Sequence, residues 1–430
     1  MRRAWTAALA ALLATSAAGC WSMPGQGSRR QGHNPFETAI TVDNVDTMAP
    51  VWTTVVGAEE PVHDPQVRPV PAGPPVVSSA GRVHVSTGDS LQFLDAATGA
   101  RDTILSDWTG AENRDLRVYT TSDGRFGFGA RSGNYQQVTA WYDAGTGEQA
   151  TGPNVGDIGS LREPWIAGAS NFTDFGQGPG PVGVVFLRVG NLDDPGKGWV
   201  GRLANGGGRG GLVLTDTAVI QAGPGIAAPD DSTVQNGIRS FALEGSAPTC
   251  GSSYLDHACP QWIVPIDGTT ASPVVLSDDD ATAYLSTDAG TVYAVSTADG
   301  TIHWSAAVGA IHQQAPALAD RVLLVPTGSG ALVALDAEGC GAPTCSPLWT
   351  TSATGSELTQ QPSVAGGVVF TGDDDGTLAA FDLAGCGAAT CEPLWVDELG
   401  SRVTGAPAIS LGKLFVGLQD GRVIAYAPGG

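Results

Sequence analysis

Past the first fifty residues, short runs rich in Val, Leu and Ala alternate with clusters of Gly, Asp, Ser and Pro, and no stretch after Cys20 keeps a helical period. Apolar runs of this length, bounded by turn residues, predict many short antiparallel strands. The pattern repeats itself. Tyr284-Leu285-Ser286 leads to Trp304, Leu323-Leu324-Val325 to Trp349, and Val368-Val369-Phe370 to Trp395. Each segment reads as a strand, a Gly/Asp/Ser turn, a second strand, an acidic or small residue, a glycine, and an outer strand reaching Trp. The turns correspond as well: Thr287-Asp288-Ala289-Gly290, Gly328-Ser329-Gly330, Asp373-Asp374-Asp375-Gly376 and Gln419-Asp420-Gly421. Asp-Gly and Ser-Gly supply the positive φ that tight hairpins need.

The residue ending the second strand of each unit falls at Asp95, Asp143, Ala204, Glu244, Ser296, Asp336, Asp382 and Ala427. These marks lie roughly 47 residues apart, the length of a four-stranded propeller blade. The fold expected is all-β: a single β-propeller of eight four-stranded blades over residues 50–430. The widest spacing, Asp143 to Ala204, covers a Gly-rich region, and seven blades with one large insertion is the alternative. The last unit, Leu414 to Ala427, stops before any outer strand, while Pro50-Val51-Trp52-Thr53-Thr54-Val55-Val56 is a strand without a unit. If this N-terminal strand completes the C-terminal blade, the ring closes and the open edges of a linear stack disappear. On this reading residues 20–49 form an arm ahead of the closing strand, and their removal is expected to leave a folded protein.

Composition adds a compartment. Arg2 and Arg3 precede an apolar run from Ala7 to Ala14, and Ala17-Ala18-Gly19 lead into Cys20. Residues 1–19 thus read as a secretory signal peptide, too short to span a membrane. Their end resembles a lipobox, with Ala17 where Leu is commonest, which makes Cys20 the lipidation site. Two acyl chains on that residue anchor a protein stably. The expected location is the outer face of the cell membrane, with the membrane itself as one partner. The net charge of −22 becomes two units more negative once Arg2 and Arg3 leave. Such a chain repels nucleic acid and anionic head groups, so no nucleic-acid partner is expected and a monomer is. Six further cysteines fall into near pairs, Cys250/Cys259, Cys340/Cys345 and Cys386/Cys391. In an oxidising compartment these predict three short-loop disulfides; zinc ligands are usually spaced more tightly.

The repeats resemble the pyrroloquinoline-quinone-type propeller family, whose tryptophan-docking signature is roughly Ala-x-Asp-x-x-Thr-Gly followed by an outer-strand Trp. Asp95-Ala96-Ala97-Thr98-Gly99 leads to Trp108, and Ser296-Thr297-Ala298-Asp299-Gly300 to Trp304. Asp143-Ala144-Gly145-Thr146-Gly147 matches without the Trp, while Asp336 and Asp382 keep Gly339 and Gly385 ahead of Cys-bearing insertions. The resemblance covers about nine-tenths of the chain and implies blade-docking roles for the Trp residues. Family enzymes are quinoprotein alcohol and sugar dehydrogenases, and the resemblance implies a quinone near a vicinal Cys-Cys disulfide beside calcium ligands. This chain has no adjacent cysteines and no constellation matching those ligands. The family's non-enzymatic branch includes the propeller lipoprotein of the outer-membrane barrel-assembly machinery, a binding scaffold. The expectation is therefore an exported scaffold with no cofactor, a quinone-dependent oxidoreductase using pyrroloquinoline quinone with calcium being the alternative.

Catalytic parts are not evident. There is no Gly-x-Ser-x-Gly elbow, the six His are scattered, and the acidic turns Asp278-Asp279-Asp280 and Asp373-Asp374-Asp375 lack the spacing of a calcium loop and read as solvated hairpins. No metal site is expected. In propellers, the loops entering the innermost strands gather around the central opening. Here they carry His312 and Gln313, Glu357 and Gln360, and Arg402. Converging polar groups of this kind suit a protein partner or a small polar ligand.

Overall fold

A computed structural model describes most of residues 21–429. Residues 1–20 and the stretches 57–71, 106–117, 132–136, 173–183, 206–210, 227–233, 245–248, 251–256 and 310–313 lie outside the description, as do positions 22, 24, 79, 88–89, 144–145, 156, 195, 353, 359 and 430. The chain forms eight four-stranded antiparallel blades in a ring, an eight-bladed β-propeller. Helix among the described residues amounts to one 3-10 turn, Val45–Thr47. The inner strands, in blade order, are Val76–Val77, Val118–Thr120, Asp157–Arg162, Gly211–Leu214, Val275–Leu276, Ala317–Ala319, Ser363–Ala365 and Ala408–Ser410.

The continuous apolar runs have a simple cause. A middle strand is covered on both faces by neighbouring blades, so Val322–Pro326 is almost wholly buried and Val368–Gly372 entirely so. An outer strand is covered on one face, and Trp395–Glu398 alternates accordingly. Between second and third strands, Gly290, Gly330, Gly376 and Gly421 all take the expected positive φ, 82° to 91°.

Ring closure follows the sequence reading. Met48–Val55 pairs antiparallel with Arg422–Pro428, in the register Ala49↔Ala427 to Val55↔Arg422. Trp52 packs on Phe415 of the same blade at 5.8 Å and donates its indole N–H to the carbonyl of Ala96 in blade one (3.2 Å). The same docking recurs around the ring. Trp199 donates to the carbonyl of Leu243, Trp262 to that of Thr297, and Trp304 to that of Ala337, in each case one blade onward. Trp349 lies so close to Gly385, φ +79°, that a β-carbon there would sit 2.6 Å from the indole Cδ1. Only glycine meets both the dihedral and the approach.

One expected mark is misplaced. Ala204 lies in an outer strand, Gly198–Asn205; the third strand of blade three is Val184–Asn191. Asn191 is the true equivalent of Asp95, its Oδ1 accepting the amides of Asp193 and Asp194 at 2.9 and 3.0 Å. Asn in place of Asp, before Gly196 and Trp199, hides the motif, and the widest spacing is an artefact of that phase error.

The cysteine loops share one job. Cys340–Cys345 and Cys386–Cys391 are disulfides, and Cys259 is disulfide-bonded too; the side chain of Cys250 lies outside the description. Each loop joins a third strand to its outer strand and reaches back over the preceding blade. Ser305 exchanges hydrogen bonds with Pro343 and Cys345, and Thr390–Cys391 adds in parallel to Trp349–Thr351. His257–Ala258 likewise adds beside Gly198–Asn205. The loops cap sheet edges that would otherwise present unpaired backbone groups.

The arm departs from expectation. Trp21, Ile40 and Val45 are fully buried in the core that joins blades seven, eight and one, so the segment is interior structure and its removal would uncover that core. The Asp278–Asp280 turn is not simply solvated either. Asp280 pairs with Arg29 of the arm (2.7 Å) and Arg162 of blade three (2.6 Å), and Asp278 accepts from the Gln31 amide (2.9 Å).

Candidate functional site

Strand direction sorts the loops onto two faces. Among the described residues, segments leading into inner strands, and turns between second and third strands, lie on one face, the rim face, and the other turns lie on the opposite face. Short bridges tie the two rim elements within a blade: Leu358 with Asp373 in blade seven and Val403 with Leu418 in blade eight.

On this face the structure gathers three of the residues expected there. Glu357 accepts the Asp374 amide on its carbonyl (3.1 Å), and Arg402 Nε meets Asp374 Oδ1 at 2.7 Å, both side chains being more than one-third exposed. Gln360 spans to the next blade, its side-chain amide donating to the Val403 carbonyl (3.1 Å). Beside them Asp373 is fully buried and caps the amide of Thr377 (2.7 Å). His312 and Gln313 lie outside the described residues. Asp374 is the member that sequence reasoning missed; its position in a turn between second and third strands was signal enough to put it on the rim. The result is a braced polar surface across blades seven and eight, with an ion pair at its centre.

For a bound quinone and calcium the residues do not fit. No two cysteines are adjacent. Among the described residues no three His, Cys, Asp or Glu side chains come together to hold a metal. At the level of the inner strands the axis is taken up by the arm: Gln361, buried, donates to the carbonyls of Arg30 (2.7 Å) and Pro316 (2.8 Å).

A family model described as outer membrane protein assembly factor BamB matches residues 260–339 and 288–429, less than half of the chain and chiefly blades five to eight. No curated protein sequence matches. Among solved structures, the quinohemoprotein alcohol dehydrogenase from Comamonas testosteroni superposes with a TM-score of 0.68 at 14% identity, covering 97% of this chain and 82% of its own. A europium-containing methanol dehydrogenase gives 0.67 at 14% identity, with 95% and 98% covered. The computationally designed Ika8 protein gives 0.58 at 14% identity, with 84% and 98% covered. At that identity the likeness is one of fold. With its ring of eight blades and its docking tryptophans, the chain is an eight-bladed β-propeller whose C-terminal repeats are similar to those of the BamB family model.

Proposed function

We propose that the protein is a lipid-anchored binding scaffold, exported to the outer face of the cell membrane, whose partner-contacting surface is the rim of blades seven and eight. The observation that carries this reading is the rim itself. Arg402, Asp374 and Gln360 are tied to one another's loops yet remain partly exposed, so the surface is rigid, polar and open. Preorganised polar side chains of this sort recognise a protein or a small polar ligand at low ordering cost. The anchor rests on the sequence alone, through the run ending Ala17-Ala18-Gly19-Cys20.

A photo-crosslinking residue in place of Glu357, compared in the native host with one in place of Asp299 on the opposite face, tests the surface. Adducts from position 357 alone are expected. Equal adducts from both positions, or quinone-dependent dye reduction with alcohols or sugars, would overturn the scaffold reading. Metabolic labelling with a fatty-acid analogue tests the anchor separately: label is expected on the wild type and none on Cys20→Ala.

A further inference from the structure

Inner strands turn one edge towards the propeller axis, and the backbone groups on that edge have no strand to pair with. In this chain one segment that belongs to no blade takes them up. Val77 N donates to the Trp21 carbonyl (2.8 Å), Leu276 N to Arg29 (3.1 Å), Leu318 N to Gln31 (2.7 Å) and Val364 N to Gly32 (2.7 Å). Asn34 N returns to the Val364 carbonyl (2.8 Å), and the Asn34 side chain donates to the Ile409 carbonyl (2.8 Å). Five of the eight inner strands are therefore bonded to a single short stretch, residues 21–34.

The stretch is shaped for the place. Gly32 N bonds the Gly25 carbonyl (2.7 Å) and Arg30 N the Gly27 carbonyl (3.1 Å), closing a compact loop. Both neck glycines have positive φ, +80° and +65°. A β-carbon on Gly25 would meet Gln361 Oε1 at 2.7 Å, and one on Gly32 the Pro362 carbonyl oxygen at 2.6 Å. Trp21, Met23 and Arg30 are buried. From within the loop, Arg29 and Gln31 reach out to Asp280 and Asp278.

We propose that the axial edges of the inner strands form a binding site for a glycine-containing peptide folded into a compact loop, and that the chain fills this site with its own Trp21 and residues 25–34. Recognition runs mainly through main-chain hydrogen bonds, as in strand addition. Specificity comes from Arg29 on the Asp280 carboxylate, from glycine where the Pro362 carbonyl leaves no room for a side chain, and from the Asn34 amide. The self-supplied peptide occupies the axial space at the level of the inner strands, so that space is not open to another ligand.

Hydrogen exchange on the full-length protein is the first test, alongside titration with pyrroloquinoline quinone and calcium. The amides of Gly32 and Asn34 are expected to exchange roughly a thousandfold more slowly than in the free peptide, in line with core strands, with no quinone bound. The second test uses a fluorescent synthetic peptide of residues 21–36. It should ignore the wild type, whose site is filled, and bind the Gly25→Val/Gly32→Val variant one to one. Free-peptide exchange rates at Gly32 and Asn34 overturn the proposal. So does stoichiometric quinone binding with those amides still protected, equal peptide binding to both proteins, or no binding to a folded variant. If the variant does not fold, the measurements on the wild type decide.

Discussion

Blades five to seven and blades one and two have the same strand plan but are joined differently. Between blades five and six, Trp304 is buried and donates to the Ala337 carbonyl, Tyr284 donates to the same oxygen (3.0 Å), and the Cys340–Cys345 loop adds backbone bonds across the outer edge. The next junction repeats the arrangement with Trp349, Gly385 and Cys386–Cys391. Between blades one and two there is instead an aromatic cluster of Phe93, Phe126, Phe128 and Tyr142, with His84 wedged edge-on against Phe93 and Phe126. His84 is fully buried, and neither ring nitrogen has a partner among the described residues. The outer strand of blade one is Arg101–Leu105, and the tryptophan expected to dock from it, Trp108, lies outside the described residues. Among the described residues, one region is joined by directional bonds repeated in register, the other by apolar contact around a polar ring without a hydrogen-bond partner. The physics makes the second junction the more sensitive to solution conditions.

Trp304→Ala is the hardest blow to the clasped region. Losing a buried indole typically costs about 3–5 kcal/mol, and here the Ala337 carbonyl also loses a donor. Denaturant unfolding should register a cost in that range; a change below about 1 kcal/mol would mean that the disulfide loop, not the tryptophan, holds the junction. Acid should act on the other region. Burial, with a smaller contribution from Arg82, pushes the His84 pKa down to about 3. Because the folded value lies below the unfolded one near 6.5, this ring's contribution is intact above pH 6.5 and is lost as pH falls towards 3. The slope is about 1.4 kcal/mol per pH unit, or roughly 3 kcal/mol at pH 4. His84→Leu should flatten that part of the stability–pH curve, and identical curves for the two proteins would remove His84 as the cause. The smallest effect is expected from Cys340→Ala/Cys345→Ala. Opening a six-residue loop releases denatured-chain entropy worth about 2 kcal/mol, and the melting temperature should fall less than for Trp304→Ala. A larger fall would show that the loop's edge-capping bonds depend on the disulfide.

Much of the architecture is legible in the residues themselves. Strand number, blade phase and ring closure follow from apolar runs, Asp and Gly at fixed offsets, and one strand to spare at the N-terminal end where the last unit lacks one. The blade-three phase fails where Asn191 replaces the expected Asp. Pairing within Cys340/Cys345 and Cys386/Cys391 is readable from spacing, but not that each loop lies across the preceding blade. At the rim, Glu357, Gln360 and Arg402 are found from their position ahead of inner strands, whereas the bond from Arg402 to Asp374 is not.

What the sequence determines is whatever repeats, because each blade meets its neighbours through the same contacts and so needs the same residues at the same offsets. The arm repeats nothing. Residues 21–34 are rich in Gly, Ser, Arg and Gln and read as linker, yet they occupy the propeller axis. Their partners are backbone amides and carbonyls of strands as far off as Val364 and Ile409. Those groups are present whatever the side chain, so they leave almost no mark in the pattern of hydrophobic and polar residues. Only the closed ring, by turning its inner strand edges towards one axis, gives that segment somewhere to bind.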